Sequence, residues 1–225
     1  GEARAEYYSD LIGAVVALHD PRNLPLLVQV STEPDTQFNQ ELAAFGRSAL
    51  PAVFENLGRL SQVRLSGSRL AIYEPQRAMG DILTKMMKLD QQKELKPPLT
   101  PSDYATIRQI LRPLLASPNN SVRLYAAIAL ARAGDVRDSA RFRETFMRFL
   151  EDPIPGARTI GLERMMSMTD VRSIPLAKVR ELATSDPYHY RRGVLGDGPV
   201  VYPVREAARK VIKKFSEPSS PLAPE

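Results

Sequence analysis

The chain has no cysteine and no tryptophan, and its only histidines are His19 and His189. Without thiols there is no disulfide, no thiolate nucleophile and no cysteine-bound zinc or iron–sulfur cluster. The histidines stand 170 positions apart, and neither belongs to a His-x-x-x-His or His-Glu pair, so the spacing of a metal site is missing. No serine lies in Gly-x-Ser-x-Gly, and neither histidine has a recognisable acid and serine around it. A transmembrane helix needs roughly 18 to 20 apolar residues. The longest apolar run, Leu11 to Leu18, is far shorter and excludes such a span. These absences predict a non-enzymatic chain with no metal and no cofactor. Charge is not extreme either: 31 Lys and Arg against 26 Asp and Glu give +5, which permits an acidic partner. The opening Gly1-Glu2-Ala3-Arg4 leaves two compartments open, the cytoplasm or export after removal of an N-terminal signal.

What the chain does have is 19 prolines and a repeat. Asp20-Pro21-Arg22, Asp135-Val136-Arg137 and Asp170-Val171-Arg172 each follow one helix-like segment and precede another, the last two being 35 residues apart. Val122-Arg123, Ala157-Arg158 and Val204-Arg205 open apolar stretches in the same phase, the first two arginines again 35 apart. Leucine-rich stretches beside Pro25, Pro51, Pro113 and Pro175 form a third series. Thr100-Pro101-Ser102-Asp103 supplies an N-cap, a proline at N1 and an acidic N3, followed by Tyr104, Ile107, Leu111 and Leu114 at helical spacing. Val122, Ala126, Ala129 and Ala133 predict a narrow small-residue face, and Phe142, Phe146, Phe149 and Leu150 a bulky one. Strand-type alternation is almost absent, so the predicted fold is all-α.

These turns, prolines and Val-Arg starts resemble the HEAT-repeat family, whose units are helix pairs of roughly 35 to 45 residues. The resemblance implies a right-handed αα-superhelix, an α-solenoid of about five or six helix pairs. It is looser over residues 1–92 and clearer over 101–215. The polar, proline-rich stretch 88–103 reads as a long loop dividing the solenoid into halves. Residues 1–215 then form one repeat domain, and 216–225 a proline-rich C-terminal tail. In HEAT proteins the turn aspartate and the repeated arginine pair between adjacent repeats. That implies Asp152 and Asp186 as partners of Arg123, Arg158 or Arg205, a structural ladder and not a phosphate-binding one.

Between Arg158 and Arg205 the spacing lengthens to 47, and the excess falls in 186–203, an insertion. It contains Tyr188, Tyr190, Arg191, Arg192 and Tyr202, residue types that dominate interface hot spots. Two readings stand: a binding loop, or a hairpin of Val194-Leu195 with Val200-Val201 that covers the end of the stack. The Gly193, Gly196, Gly198 cluster has the wrong order for a dinucleotide fingerprint. The expected function is a protein-interaction or scaffold module binding a protein or peptide. The alternative is a nucleic-acid-binding protein similar to the helical-repeat alkylpurine DNA glycosylases; those enzymes hold the damaged nucleotide with tryptophans, which this chain lacks. A HEAT-like bilin lyase loses support for want of cysteine.

Overall fold

Proline and small polar residues punctuate the chain into helices. A computed structural model describes residues 13–18, 20–30, 39–61, 75–192 and 198–216, which are mostly helical. Two compact units divide the chain, Gly1–Asp135 and Val136–Glu225. The first contains α1 (Leu24–Val30), α2 (Asn39–Ala44), α3 (Leu50–Ser61), α4 (Pro75–Gln91), α5 (Pro101–Leu111) and α6 (Asn120–Arg132). The second contains α7 (Ser139–Leu150), α8 (Pro155–Met165), α9 (Leu176–Ser185) and α10 (Pro203–Ser216). It also holds two short strands, β1 (Tyr190–Arg191) and β2 (Val200–Val201).

The start of α5 is as the sequence predicts. Thr100 Oγ1 accepts a hydrogen bond from Asp103 N at 3.2 Å, and Asp103 accepts one from Thr100 N at 2.7 Å, a reciprocal capping box with Pro101 following. Burial tends to raise the pKa of Asp103, but its bonds to Thr100 and to Arg47 lower it below the usual carboxylate value. The helix stops at Leu111, short of Leu114, and tightens into a 3₁₀ turn at Arg112–Ala116. Pro113 explains the stop, since it has no N–H to continue the α-helical ladder.

In the first unit α4 packs on α6, α2 and α3, and α1 packs on α3. Met79, Ile82, Leu83, Met86 and Met87 of α4 are fully buried. The expected narrow face of α6 is instead a buried cylinder: every residue from Leu124 to Leu130 is buried. Apolar side chains run around the whole helix, as in a central core helix. The stretch 88–103 does not mark the division between the units. Helix α4 continues to Gln91, and the connector beyond it is tied into the first unit. Leu95 and Leu99 are buried, Leu99 N donates to Asp90 Oδ1 at 2.8 Å, and Arg47 N donates to the Pro97 carbonyl at 3.1 Å. Gly46 makes that approach possible. Its φ is +56°, and a Cβ there would lie 2.2 Å from the Lys96 carbonyl oxygen.

In the second unit α8 packs on α7, and α10 packs on both α8 and α9. Phe142, Phe146, Phe149 and Leu150 are all buried, as their spacing predicts. Gly161 lets α8 approach α7 closely, because a Cβ on it would meet Phe149 Cβ at 2.7 Å. Lys214, in the last turn of α10, donates to the Met166 and Met168 carbonyls at 2.6 and 2.8 Å. It thereby caps the end of α8.

Two of the three Asp-x-Arg turns share one geometry. Asp20 (φ −87°, ψ 112°) and Asp170 (φ −90°, ψ 111°) each N-cap a 3₁₀ turn, accepting from the backbone N–H two residues on and from that arginine's side chain. Ser139 Oγ adds a 2.7 Å bond to Asp170. The Arg172 side chain, with Ser139 and the Arg172 backbone N–H, holds the Asp170 carboxyl down at about 2. Asp135 departs from this pattern: its carboxylate is buried and pairs with Arg112 of the same unit. The first turn's His19, residues 62–74 and the tail from 217 onward lie outside the described residues.

Candidate functional site

The 186–203 insertion lies wholly in the second unit, and its base is built by the repeat arginines. Asp186 follows the last residue of α9, and its carboxylate is almost fully buried. Arg158, the fourth residue of α8, meets it with Nε at 2.8 Å from Oδ2 and Nη2 at 3.3 Å from Oδ1. The other arm of Arg158 donates to the Asp152 and Pro153 carbonyls, at 2.7 and 3.0 Å. One guanidinium thus joins the turn before α8 to the turn after α9, using the planar fork that lysine lacks. Asp186 Oδ1 also accepts from Tyr188 N at 3.0 Å, which fixes the direction in which the insertion leaves the helix.

Arg205 acts on the same turn from α10. Its Nε donates to the Asp186 carbonyl at 2.7 Å, and its guanidinium lies 4.3 Å from the centre of the Tyr202 ring. Arg123, in the first unit, reaches the Ser117 carbonyl and the Asn120 side chain. Arg123 and Arg158 therefore share one act, each reaching back six residues to the carbonyl of the preceding turn. Asp152 takes part in the second unit through its carbonyl, while its carboxylate accepts from Ile154 N at 2.8 Å and opens α8. Among the candidate pairs, only Arg158 with Asp186 is a carboxylate–guanidinium ion pair in the second unit's described residues.

Above this base the chain forms a hairpin in which Tyr190 pairs with Val201 and Arg191 with Val200, antiparallel. The strand facing Val200-Val201 is thus Tyr190-Arg191 and not Val194-Leu195, which lies outside the described residues. Arg192 N donates to the Pro199 carbonyl at 3.1 Å, and Gly198 N to the Arg192 carbonyl at 2.8 Å, extending the ladder by one step. The five candidate binding residues divide here. Tyr202 is half-buried, with the His189 ring 5.4 Å away and Arg205 also against it. Tyr188 and Tyr190 are 40% and 43% exposed, their ring centres 6.5 Å apart and tilted by 46°, and Arg191 and Arg192 are exposed beside them. His189, which sequence reasoning set aside, orders the turn through Nδ1, 3.0 Å from the Pro187 carbonyl. Its signal was available in the two flanking tyrosines.

Elsewhere the structure offers less. A cleft lined by Pro25, Gln29, Ala52, Glu55 and Asn56 contains one carboxylate and no histidine, lysine or hydroxyl side chain beside it. Among the described residues no three His, Asp or Glu side chains converge as a metal-ligand set, and no helix is long and apolar enough to cross a membrane. No family model, curated protein or solved structure matches this chain.

Proposed function

We propose that the chain is a HEAT-like α-solenoid acting as a non-enzymatic interaction module. In this reading it binds a protein or peptide through its helical surface and the 186–203 hairpin. The observation that carries the reading is the exposure of Tyr188, Tyr190, Arg191 and Arg192 on a hairpin whose base is held by buried ion-pair and hydrogen-bond contacts. Exposed tyrosines and arginines at a fixed site give large contact area and directional donors with little entropy left to lose on binding. The repeat arginines support the same reading, because Arg158 is committed to Asp186 and two turn carbonyls, and Arg205 donates through Nε to the Asp186 carbonyl.

A pull-down from lysate of the source organism tests it, comparing the wild-type chain with the Tyr190→Ala/Arg191→Ala variant, with and without nuclease. The expected result is a stoichiometric protein retained by the wild type after nuclease and lost by the variant, with unchanged melting. Recovery of nucleic acid alone, falling steeply with salt, would replace the reading with phosphate binding.

A further inference from the structure

Helices α7 and α9 begin, and α8 and α10 end, along one edge of the second unit, whereas the hairpin joins the other ends of α9 and α10. Three sets of contacts tie this edge together. Ser139 Oγ lies 2.7 Å from both the Val136 carbonyl and Asp170 Oδ2, which joins the turn before α7 to the turn before α9. Arg143 donates through Nε and Nη2 to the Arg172 carbonyl, at 2.9 and 2.5 Å. Lys214 brings in the end of α10 through the Met166 and Met168 carbonyls. We propose that this edge docks on an anionic lipid surface, its cations meeting the headgroups and its apolar tips entering the hydrocarbon just beneath.

The segments that make the edge, 136–143, 166–175 and 213–216, hold Arg137, Arg141, Arg143, Arg172, Lys213 and Lys214 against two carboxylates, Asp138 and Asp170. The carboxylates are recessed and the cations stand out: the side chains of Asp138 and Asp170 are 14% and 17% exposed, those of their partners Arg141 and Arg172 62% and 66%. Among these cations Val136, Val171 and Met166 are exposed large apolar residues at the turns. A lipid bilayer uses both features at once, because its anionic headgroups attract clustered Lys and Arg and its hydrocarbon lies directly below them. A nucleic-acid backbone would engage the cations and leave the three apolar side chains in water. An acidic protein presents carboxylates at set positions, and the guanidiniums here are not free to turn toward them, since Arg143 is held by the Arg172 carbonyl and Arg172 by Asp170. Laterally mobile lipids gather under cations wherever these are fixed.

Because the chain has no cysteine, V171C carries a single environment-sensitive nitrobenzoxadiazole label in the full chain. The expected result is a blue shift and brightening on phosphatidylcholine vesicles containing about a third phosphatidylserine, none on phosphatidylcholine alone, and none for the same label at Y190C on the hairpin. Co-sedimentation of the unlabelled chain with the mixed vesicles should fall about tenfold or more in R137Q/R141Q/K213Q, fall with rising salt, and fall several-fold in V136S/V171S. Melting of these variants should stay close to the wild type; the label reads the contact without removing a charge, so it stands even if a charge variant melts early. A shift at Y190C and not at V171C would move the contact to the hairpin and overturn the assignment of this edge. Binding that needs the cations but is unchanged in V136S/V171S would overturn the lipid in favour of a soluble polyanion. Equal binding to phosphatidylcholine alone would overturn the anionic requirement, and the absence of both shift and sedimentation would overturn the proposal.

Discussion

The base and the rim of the 186–203 insertion use the same residue types for opposite purposes. At the base, Arg158 is only 11% exposed, its fork divided between a buried carboxylate and two carbonyls, and Arg205 lies over Tyr202. At the rim, a few residues away in the chain, Arg191 and Arg192 stand exposed beside Tyr188 and Tyr190. Arginine and tyrosine do not declare a role by themselves; the neighbours assign it. A buried guanidinium that satisfies three acceptors is a brace, because removing it strands a charge and two carbonyls away from water. An exposed one gains nothing in the isolated chain and becomes useful only when a partner brings acceptors.

The sharpest way to break this contrast is at Arg158. Arg158→Ala leaves the Asp186 carboxylate buried without its cation and should cost about 3–5 kcal/mol of unfolding free energy, read from urea denaturation. A double-mutant cycle with Asp186→Ala should give a coupling of about 1 kcal/mol or more. Additivity within error would remove Arg158 from the bracing role. Arg205→Ala should follow at about 1–2 kcal/mol, since it loses one hydrogen bond and one partly exposed ring contact. Arg205→Lys should restore little of this, because an ammonium cannot hold the carbonyl and cover the ring in the same plane.

Asp170 sharpens the contrast between braced and exposed groups through pH. Its carboxyl is held at about 2, below the ordinary 3.8, chiefly by the Arg172 side chain. A carboxylate depressed on folding contributes stability that is complete above the unfolded value and is lost as pH falls toward the folded one. Asp170→Asn keeps an N-cap acceptor but loses the carboxylate's attraction to the largely exposed Arg172, and should therefore cost no more than about 1 kcal/mol near neutral pH. The gap between variant and wild type should close as pH drops from about 4 toward 2. A gap that stays constant through that window would mean that Asp170 titrates normally. Asp20, in a separate turn of the same geometry with an almost fully exposed Arg22 partner, should show the smaller effect.

How much of this was legible in the chain follows the range of each interaction. Local signals read well: Thr100 and Asp103 cap α5, the phenylalanines of α7 face inward, and the Asp20 and Asp170 turns share one geometry because two residues determine it. The place of the insertion was also legible, since it breaks a counted spacing. Interactions between distant residues mostly were not, the Arg158–Asp186 pair, which was among those the family resemblance implied, being the exception. Asp135 leaves the Asp-x-Arg pattern because Arg112 claims its carboxylate, and Lys214 becomes a cap because the end of α8 presents two carbonyls. The division of the chain escaped composition as well, because the polar 88–103 stretch hides two leucines and a loop bonded to Arg47. At the candidate site the residue types were visible, but their division into brace and rim required knowing that Asp186 is buried and that Tyr190 pairs with Val201.

The smallest effect on stability belongs to the rim, and it carries the functional weight of the comparison. Tyr190→Ala/Arg191→Ala removes two exposed side chains, neither of which braces the fold, so unfolding free energy should move by no more than about 0.5 kcal/mol. The backbone ladder between β1 and β2 survives because its hydrogen bonds do not depend on side-chain identity, and Asp186 still fixes the hairpin through Tyr188 N. On the proposed reading, binding of a protein or peptide partner should nevertheless fall steeply, since hot-spot side chains dominate interfaces out of proportion to their area. Loss of binding with intact melting would separate rim from base as function from scaffold. A variant that melts early would instead make the tyrosine–arginine pair a cover for the end of α9 and α10, and the insertion a cap in its entirety.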